Sequence, residues 1–345
     1  MSISTLTTSS NKKFTLNNRI KHYKLVSSYI SKHLKEDPNN CINVKDNLIK
    51  IGTNIVLDNR IGSKSVWGLA FLSHYIIQNS NKLIFATKIV DLSKNNNLLE
   101  YNILKFLTLL NVEKQICPHF PFCYGALKCD DFSHTLIKKK IDLGKLKNKK
   151  LIFIFSELAN NNLKHLLKFN NNQKILLNAI VQIMISIMFF NKYTKSFHKD
   201  GHSGNFLYHE ITPGGYFHYV INGVDYYIEN LGYLWVIWDF GLIIPFSTID
   251  YDSSTSPKFK YYNSLPINYD FIKTLSSIKK RNKNEHIVEN INSILFAIRT
   301  YDYTYNLNKM PELINKVLQS LQQYTNNSLI TSNPSKIINK KPFLF

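Results

Sequence analysis

Apolar residues along this chain change their spacing several times, and each change predicts an element. Ile20, Tyr23, Val26, Ile30 and Leu34 recur every three or four positions within a Ser-, Thr-, Asn- and Lys-rich extension over 1–45. That spacing predicts a basic amphipathic helix, which either docks on the main domain or lies on a membrane surface. From Leu48 the period becomes that of strands: Ile49, Ile51 and Ile55 lead into Arg60-Ile61-Gly62, and Leu83 to Val90 forms the next strand. Leu99, Ile103, Phe106, Leu107 and Leu110 then make a helical stripe, and Leu151 to Leu158 reads as a buried strand. After the polar link Ala159-Asn160-Asn161-Asn162 a short helix starts at Leu163.

Ile175 to Phe190 is the longest apolar stretch. Asn178, Gln182 and Ser186 interrupt it every fourth position, which puts one polar stripe on a helix too short for a comfortable membrane span; a buried core helix is expected. Three strands follow, Tyr216 to Val220, Asp225 to Ile228 and Leu234 to Trp238. Asn222-Gly223 supplies a hairpin turn whose tip is expected to project and serve docking. Two helical faces close the chain. One comprises Ile287, Val288, Ile291, Ile294, Leu295 and Ile298; the other comprises Leu313, Ile314, Val317, Leu318 and Leu321, with Pro311 near its start. The tail over 326–345 is polar and expected to be loose.

Composition refines this picture without redirecting it. An apolar fraction of 44% with 19% charged residues excludes wholesale disorder. A net charge of +20 suits nucleic acid, acidic lipid or an acidic protein, although scattered lysines in an Asn/Lys/Ile-rich chain give the same sum without a partner. The lysine-rich run 138–150 reads as a solvated loop. Cys41, Cys117, Cys123 and Cys129 form no C-x-x-C pair, and with His119 they match no common zinc spacing, so reduced thiols are expected. A polar N-terminus without an apolar core gives no sign of secretion.

The chemistry lies in His198-Lys199-Asp200-Gly201-His202-Ser203-Gly204-Asn205 and in Asp239-Phe240-Gly241. Phosphoryl transfer needs a carboxylate at the attacking hydroxyl and oxygen ligands for Mg²⁺. Asp200, Asn205 and Asp239 have that chemistry in that order. Upstream, Gly62 and Gly68 flank a turn where backbone N–H groups can approach phosphates, although Lys64 stands where a second glycine is usual. Lys88, in Phe85-Ala86-Thr87-Lys88, occupies a strand lysine slot, equally readable as an outward-facing solvated residue. Glu100, near the start of the following helix, is its natural partner, provided the intervening loop is compact.

Taken in order, these residues resemble the protein-kinase superfamily over about 50–320, and more narrowly the serine/threonine kinases of large cytoplasmic DNA viruses, including the poxvirus virion-kinase type. The resemblance implies an α+β bilobal fold: a small β-rich lobe over 46–158 and a mainly helical lobe over 159–325. It implies ATP and Mg²⁺ as cofactors, Ser/Thr protein substrates, viral structural proteins among them, and a place in the virion or infected cytoplasm. Asp200 takes the catalytic role, Asn205 and Asp239 the metal, and Lys88 the nucleotide phosphates, fixed by Glu100. Backbone groups of Glu157 and Ala159 meet the adenine edge with Ser156 behind the base, His198 is structural, and Asp270 ties the next helix to the catalytic loop.

Departures keep rivals open. His202 stands where serine/threonine kinases commonly carry Lys, and the loop is also similar to that of aminoglycoside- and choline-type phosphotransferases. No A-P-E sequence follows the D-F-G. A pseudokinase scaffold is the other alternative, disfavoured by the intact Lys88, Asp200, Asn205 and Asp239. A zinc site on His198 and His202 is disfavoured by Gly201 and Gly204, which argue against a helix there.

Overall fold

A computed structural model of the chain describes residues 16–36, 41–45, 48–62, 68–77, 82–129, 146, 149–170, 172–246, 265–299 and 307–345. The turn 63–67 with Lys64, most of the run 138–150 and the segment 247–264 after the D-F-G lie outside them. The protein is mixed α+β, with seven α-helices among the described residues. It divides into two units, of which Leu16–Leu109 and Pro121–Leu158 form the first and Leu110–Phe120 and Ala159–Phe345 the second.

In the first unit, helix α1 (Leu16–Glu36) precedes β1 (Ile42–Lys45), β2 (Leu48–Ile51), β3 (Ile55–Ile61), β4 (Gly68–Ile76) and β5 (Lys82–Asp91). Helix α2 (Asn95–Lys114), β6 (Cys123–Cys129) and β7 (Leu151–Ser156) follow. The strands form one antiparallel sheet in the order β1-β2-β3-β4-β5-β7-β6. Every residue of β7 is buried, as its unbroken apolar run requires.

Of the two destinations open to α1, the structure shows docking on the sheet. Val26 and Ile30 are fully buried, and the Tyr23 ring lies 5.2 Å from Phe122 and 6.0 Å from Tyr124. His33 Nε2 meets the Ile51 carbonyl at 3.1 Å. Ile30 packs over Gly125, where a Cβ would make an ordinary contact with Ile30 Cγ2 at 3.4 Å.

The expectation of reduced thiols fails at two positions. Cys41, one residue before β1, and Cys129, the last residue of β6, form a disulfide with Cα atoms 5.7 Å apart. Strand order explains what spacing could not: β1 and β6 are the two edges of the sheet, which curves round until its borders meet. Closing a loop with a sequence separation of 88 restricts the unfolded chain. On the loop-entropy model Cys41→Ser therefore lowers stability by up to ~4 kcal/mol. The check is a denaturant titration of wild type and variant with and without dithiothreitol; a wild type indifferent to the reductant refutes the assignment. Cys117 and Cys123 are buried thiols outside the disulfide, and burial pushes the Cys123 thiol up to about 12.

The second unit is built on an apolar helix. After β8 (Asn161–Asn162) and α3 (Leu163–Phe169), helix α4 (Gln173–Thr194) is buried continuously from Leu176 to Asn191. It is the one helix among the described residues long and apolar enough to cross a membrane, and 83% of its apolar window is buried within the protein. Its polar stripe has backbone partners. Asn178 Nδ2 donates to the Glu229 carbonyl at 2.9 Å, and Gln182 donates to the Tyr233 carbonyl and accepts from the Trp235 N–H at 3.1 Å.

The remaining elements are β9 (Ser196–Phe197), β10 (Phe206–Glu210), β11 (Tyr216–Ile221), β12 (Val224–Glu229), β13 (Tyr233–Ile237) and β14 (Ile244–Pro245). Then come α5 (Tyr269–Arg281), α6 (Glu285–Arg299), α7 (Met310–Tyr324), β15 (Leu329–Ile330) and β16 (Phe343–Leu344). Asn222 and Gly223, with φ of 50° and 78°, make the two-residue turn their types favour.

One expectation is corrected here. The tail is not loose: β15 and β16 complete a sheet of order β15-β12-β11-β16. A lone hairpin leaves two unpaired edges, and a few apolar tail residues, Leu329 and Phe343 among them, cover both. The hairpin's tip, Asn222 to Asp225, is exposed, while the strand leading into it is packed. Tyr219 and Ile221 are fully buried, and Asn222 Nδ2 at the tip donates to Asn315 Oδ1 of α7 at 3.0 Å.

Candidate active site

Two short antiparallel pairings hold the chemical segments face to face within the second unit. The loop 198–205 runs from β9 to β10, and the segment 238–243 runs from β13 to β14. β9 pairs with β14 through Phe197↔Ile244, and β10 pairs with β13 through Phe206↔Ile237. Asn205, directly before β10, and Asp239, two residues past β13, therefore emerge at the same end of one ladder. Two cross-links fix the arrangement: the Trp238 N–H donates to the Asn205 carbonyl at 2.8 Å, and His198 Nε2 meets the Trp238 carbonyl at 3.0 Å.

His198 carries structure here. Its Nδ1 accepts the Asp200 N–H at 3.3 Å, so Nε2 bears the proton given to Trp238. Burial lowers its pKa, against the raising effect of Asp270, Asp239 and Asp200, and so favours the neutral ring. Asp270 anchors the loop from α5: its carboxylate accepts the N–H groups of His198 and Lys199, both at 2.8 Å, and the Asn191 amide at 3.0 Å. Phe240 is buried, stacked on Phe190 with ring centres 5.4 Å apart.

Asn205 Nδ2 holds Asp200 Oδ2 at 2.9 Å. This bond engages one carboxylate oxygen and turns the amide oxygen of Asn205 the other way. Asp200 is 22% exposed, enough to meet an acceptor. Lys199 and Asp239 both sit at φ 64°, a region costly for side-chain-bearing residues unless their surroundings impose it. His202 lies on the exposed side, its Nδ1 accepting the Gly204 N–H at 3.0 Å. Its Nε2 is 3.5 Å from Asp200 Oδ2, too long for a good hydrogen bond. Both rings stand in a non-helical loop, and both nitrogens of His198 are engaged.

The phosphate-binding candidates lie in the first unit. Lys88 Nζ meets Glu100 Oε1 at 2.6 Å, with side chains 14% and 4% exposed. The loop before α2 is as short as this pairing demands: Asp91 Oδ1 accepts the Ser93 N–H at 2.9 Å, and Asn97 Nδ2 donates to the Asp91 carbonyl at 2.6 Å. The buried face of α2 is rotated from the expected stripe. Asn97, Glu100, Leu104, Leu107 and Thr108 are buried, whereas Phe106 is 43% exposed, which places Glu100 on the inner face rather than beside it. Gly68 pairs with Val90 and Ala70 with Lys88; a Cβ at 68 would meet Val90 Cγ1 at 2.7 Å and the Ile89 carbonyl at 2.9 Å, so only glycine fits. Gly62 adopts φ +75°.

One backbone group of Glu157, and its side chain, have partners within the first unit. Its N–H donates to the Phe122 carbonyl at 2.8 Å, which removes that group from an adenine edge. Its carboxylate takes both Nε and Nη2 of Arg19, each at 2.6 Å. Sequence reasoning could not foresee that partner, 138 positions upstream. Ser156 is buried at the end of β7, and Ala159 begins the second unit's main segment. Asp270 was foreseen, but the two residues that extend its row along α5, Thr274 and Ser277, were missed. Asp270, Thr274 and Ser277, spaced four and three apart, follow the loop; Thr274 packs where a Cβ on Gly201 would fall, and Ser277 Oγ accepts the Ser203 N–H at 3.3 Å. Small polar residues at that helical spacing were the available signal.

No protein-family model matches the chain. It is similar to an uncharacterized protein, 011L, of Invertebrate iridescent virus 3. The two are 29% identical over 150 residues, which cover 41% of this chain and 19% of that protein. The chain thus spans about a fifth of that relative's length.

Proposed function

We propose that this chain is a Mg-ATP-dependent protein kinase that phosphorylates Ser or Thr, with a bilobal kinase-like arrangement of its two units. The observation that carries the reading is the double ladder β9/β14 and β10/β13, which gathers Asp200, Asn205 and Asp239 at one end. The Lys88–Glu100 pair at 2.6 Å supports it from the first unit.

Asp200 orients the acceptor hydroxyl and takes its proton, through the carboxylate oxygen that Asn205 does not hold. The Asn205 amide oxygen and the Asp239 carboxylate are hard oxygen donors of the kind Mg²⁺ takes, and they are the residues that hold it. Bound Mg-ATP supplies the phosphoryl group and its charge compensation. Lys88, kept extended by Glu100, binds the nucleotide phosphates, and Gly62 and Gly68 let the backbone come near them.

Similarity to a viral protein is consistent with the virion-kinase type and with a place in the particle. The Cys41–Cys129 bond also fits a particle better than a reducing cytoplasm. One observation favours a second reading, a small-molecule phosphotransferase: an exposed histidine, His202, beside Asp200. The deciding experiment incubates the protein with γ-labelled ATP, with and without Mg²⁺, offering acidic proteins, basic proteins and hydroxylated small molecules. Mg²⁺-dependent label on protein Ser or Thr is expected. Label confined to small molecules establishes the second reading, and no label in any arm removes both.

A further inference from the structure

Two helices of the second unit meet the loop that carries Asp200. Along α5, Asp270 meets the N–H groups of residues 198 and 199, Thr274 packs at Gly201, and Ser277 meets the N–H of Ser203. The next place in that row, four residues on, is Arg281. Lys273 flanks the row and donates to the Lys199 carbonyl at 2.6 Å, and Lys280 is the residue directly before Arg281 at the helix end. From the other side, the Lys164 N–H donates to the Ser203 carbonyl at 3.0 Å, which places α3 against the same loop, with Lys168 one turn further.

Lys164, Lys168, Lys280 and Arg281 are exposed, and Lys199 and Lys273 are half-buried. Neither helix offers an exposed carboxylate to oppose them: α3 has none, and the single acid of α5, Asp270, is buried and spent on the loop. The first acid past Arg281 is Glu285, at the start of α6.

We infer that these cations form a docking surface for an acidic polypeptide segment, whose carboxylates flank the hydroxyl residue presented to Asp200. The inference rests on the kinase reading and names its substrate class. The cations stand on two helices that bond to the loop carrying Asp200, α3 at the Ser203 carbonyl and α5 at the N–H groups of residues 198, 199 and 203. A peptide with acids on either side of a neutral Ser or Thr satisfies both helices and leaves Asp200 facing the hydroxyl. A nucleic acid carries a phosphate at every nucleotide, and its regular charge would set one against the Asp200 carboxylate.

The test uses the full chain and fluorescence polarisation in low salt without ATP. Its probes are a labelled Ser peptide flanked by Asp and Glu, the same peptide with Asn and Gln, and a single-stranded oligonucleotide of equal charge. The acidic peptide is expected to bind about tenfold or more tightly than the neutral one, an advantage screened by salt. The double variants K164E/K168E and K280E/R281E each abolish most of that advantage; thermal melting verifies that both are folded. Equal binding of the two peptides, or variants that bind as wild type does, overturns the proposal. Tighter binding of the oligonucleotide overturns it in favour of a nucleic-acid surface. Label transfer then separates the two readings. Acidic-peptide binding without transfer leaves the surface and removes the kinase; equal transfer to acidic and neutral peptides does the reverse.

Discussion

On the proposed kinase reading, Asp200→Ala is expected to lower kcat by about 10³-fold and to leave nucleotide affinity close to wild type. The carboxylate is held by Asn205 at 2.9 Å and lies in a loop whose backbone is fixed from three sides, by Asp270, by Trp238 and by β9. None of these supports depends on the Asp200 side chain itself, so the loop keeps its path when the side chain is cut back. What is lost, on that reading, is the group proposed to receive the hydroxyl proton. Steady-state kinetics together with a direct nucleotide-binding measurement distinguish the outcomes. A fall in nucleotide affinity that matches the fall in turnover would give Asp200 a structural role and remove it from catalysis.

The second large effect falls on the other unit. Lys88→Met is expected to reduce kcat/KM by about 10²-fold or more, because it deletes the cation aimed at the phosphates. Glu100→Gln keeps the shape and removes the charge that holds Lys88, and it should cost less. If Glu100 acts through Lys88, the double variant is scarcely worse than Lys88→Met alone, whereas independent roles give losses that add. Glu100 is almost wholly buried, so losing its cation also strains the fold. Each variant therefore needs a denaturation curve beside its kinetics. Additive losses in variants of wild-type stability would break the pairing.

Residues close together in sequence declared the most. Asp200 and Asn205 share one loop, and Lys88 and Glu100 are separated by one short connection; in both cases local backbone geometry decides who meets whom. The hairpin at Asn222-Gly223 was legible for the same reason. What stayed hidden depends on long-range packing. Nothing near Glu157 announces Arg19, nothing near Cys41 announces Cys129, and a polar tail conceals the apolar side chains with which it seals two strand edges. Phe106 shows the limit of periodicity: it fits the helical stripe, yet the buried face follows Glu100 and Leu107.

The attachment of α1 bears on how the first unit comes apart. A helix preceding a domain usually frays at low energy and exchanges its amide hydrogens early. Here Val26 and Ile30 are sealed against the sheet, Arg19 closes on Glu157 at the end of β7, and the chain just past the helix is bonded to the far border of the sheet. Helix and sheet therefore open as one cooperative block. In hydrogen exchange, the amides around Val26 should be protected as long as those of β7, and the N-terminal segment becomes as old in the folding order as the strands it lies upon.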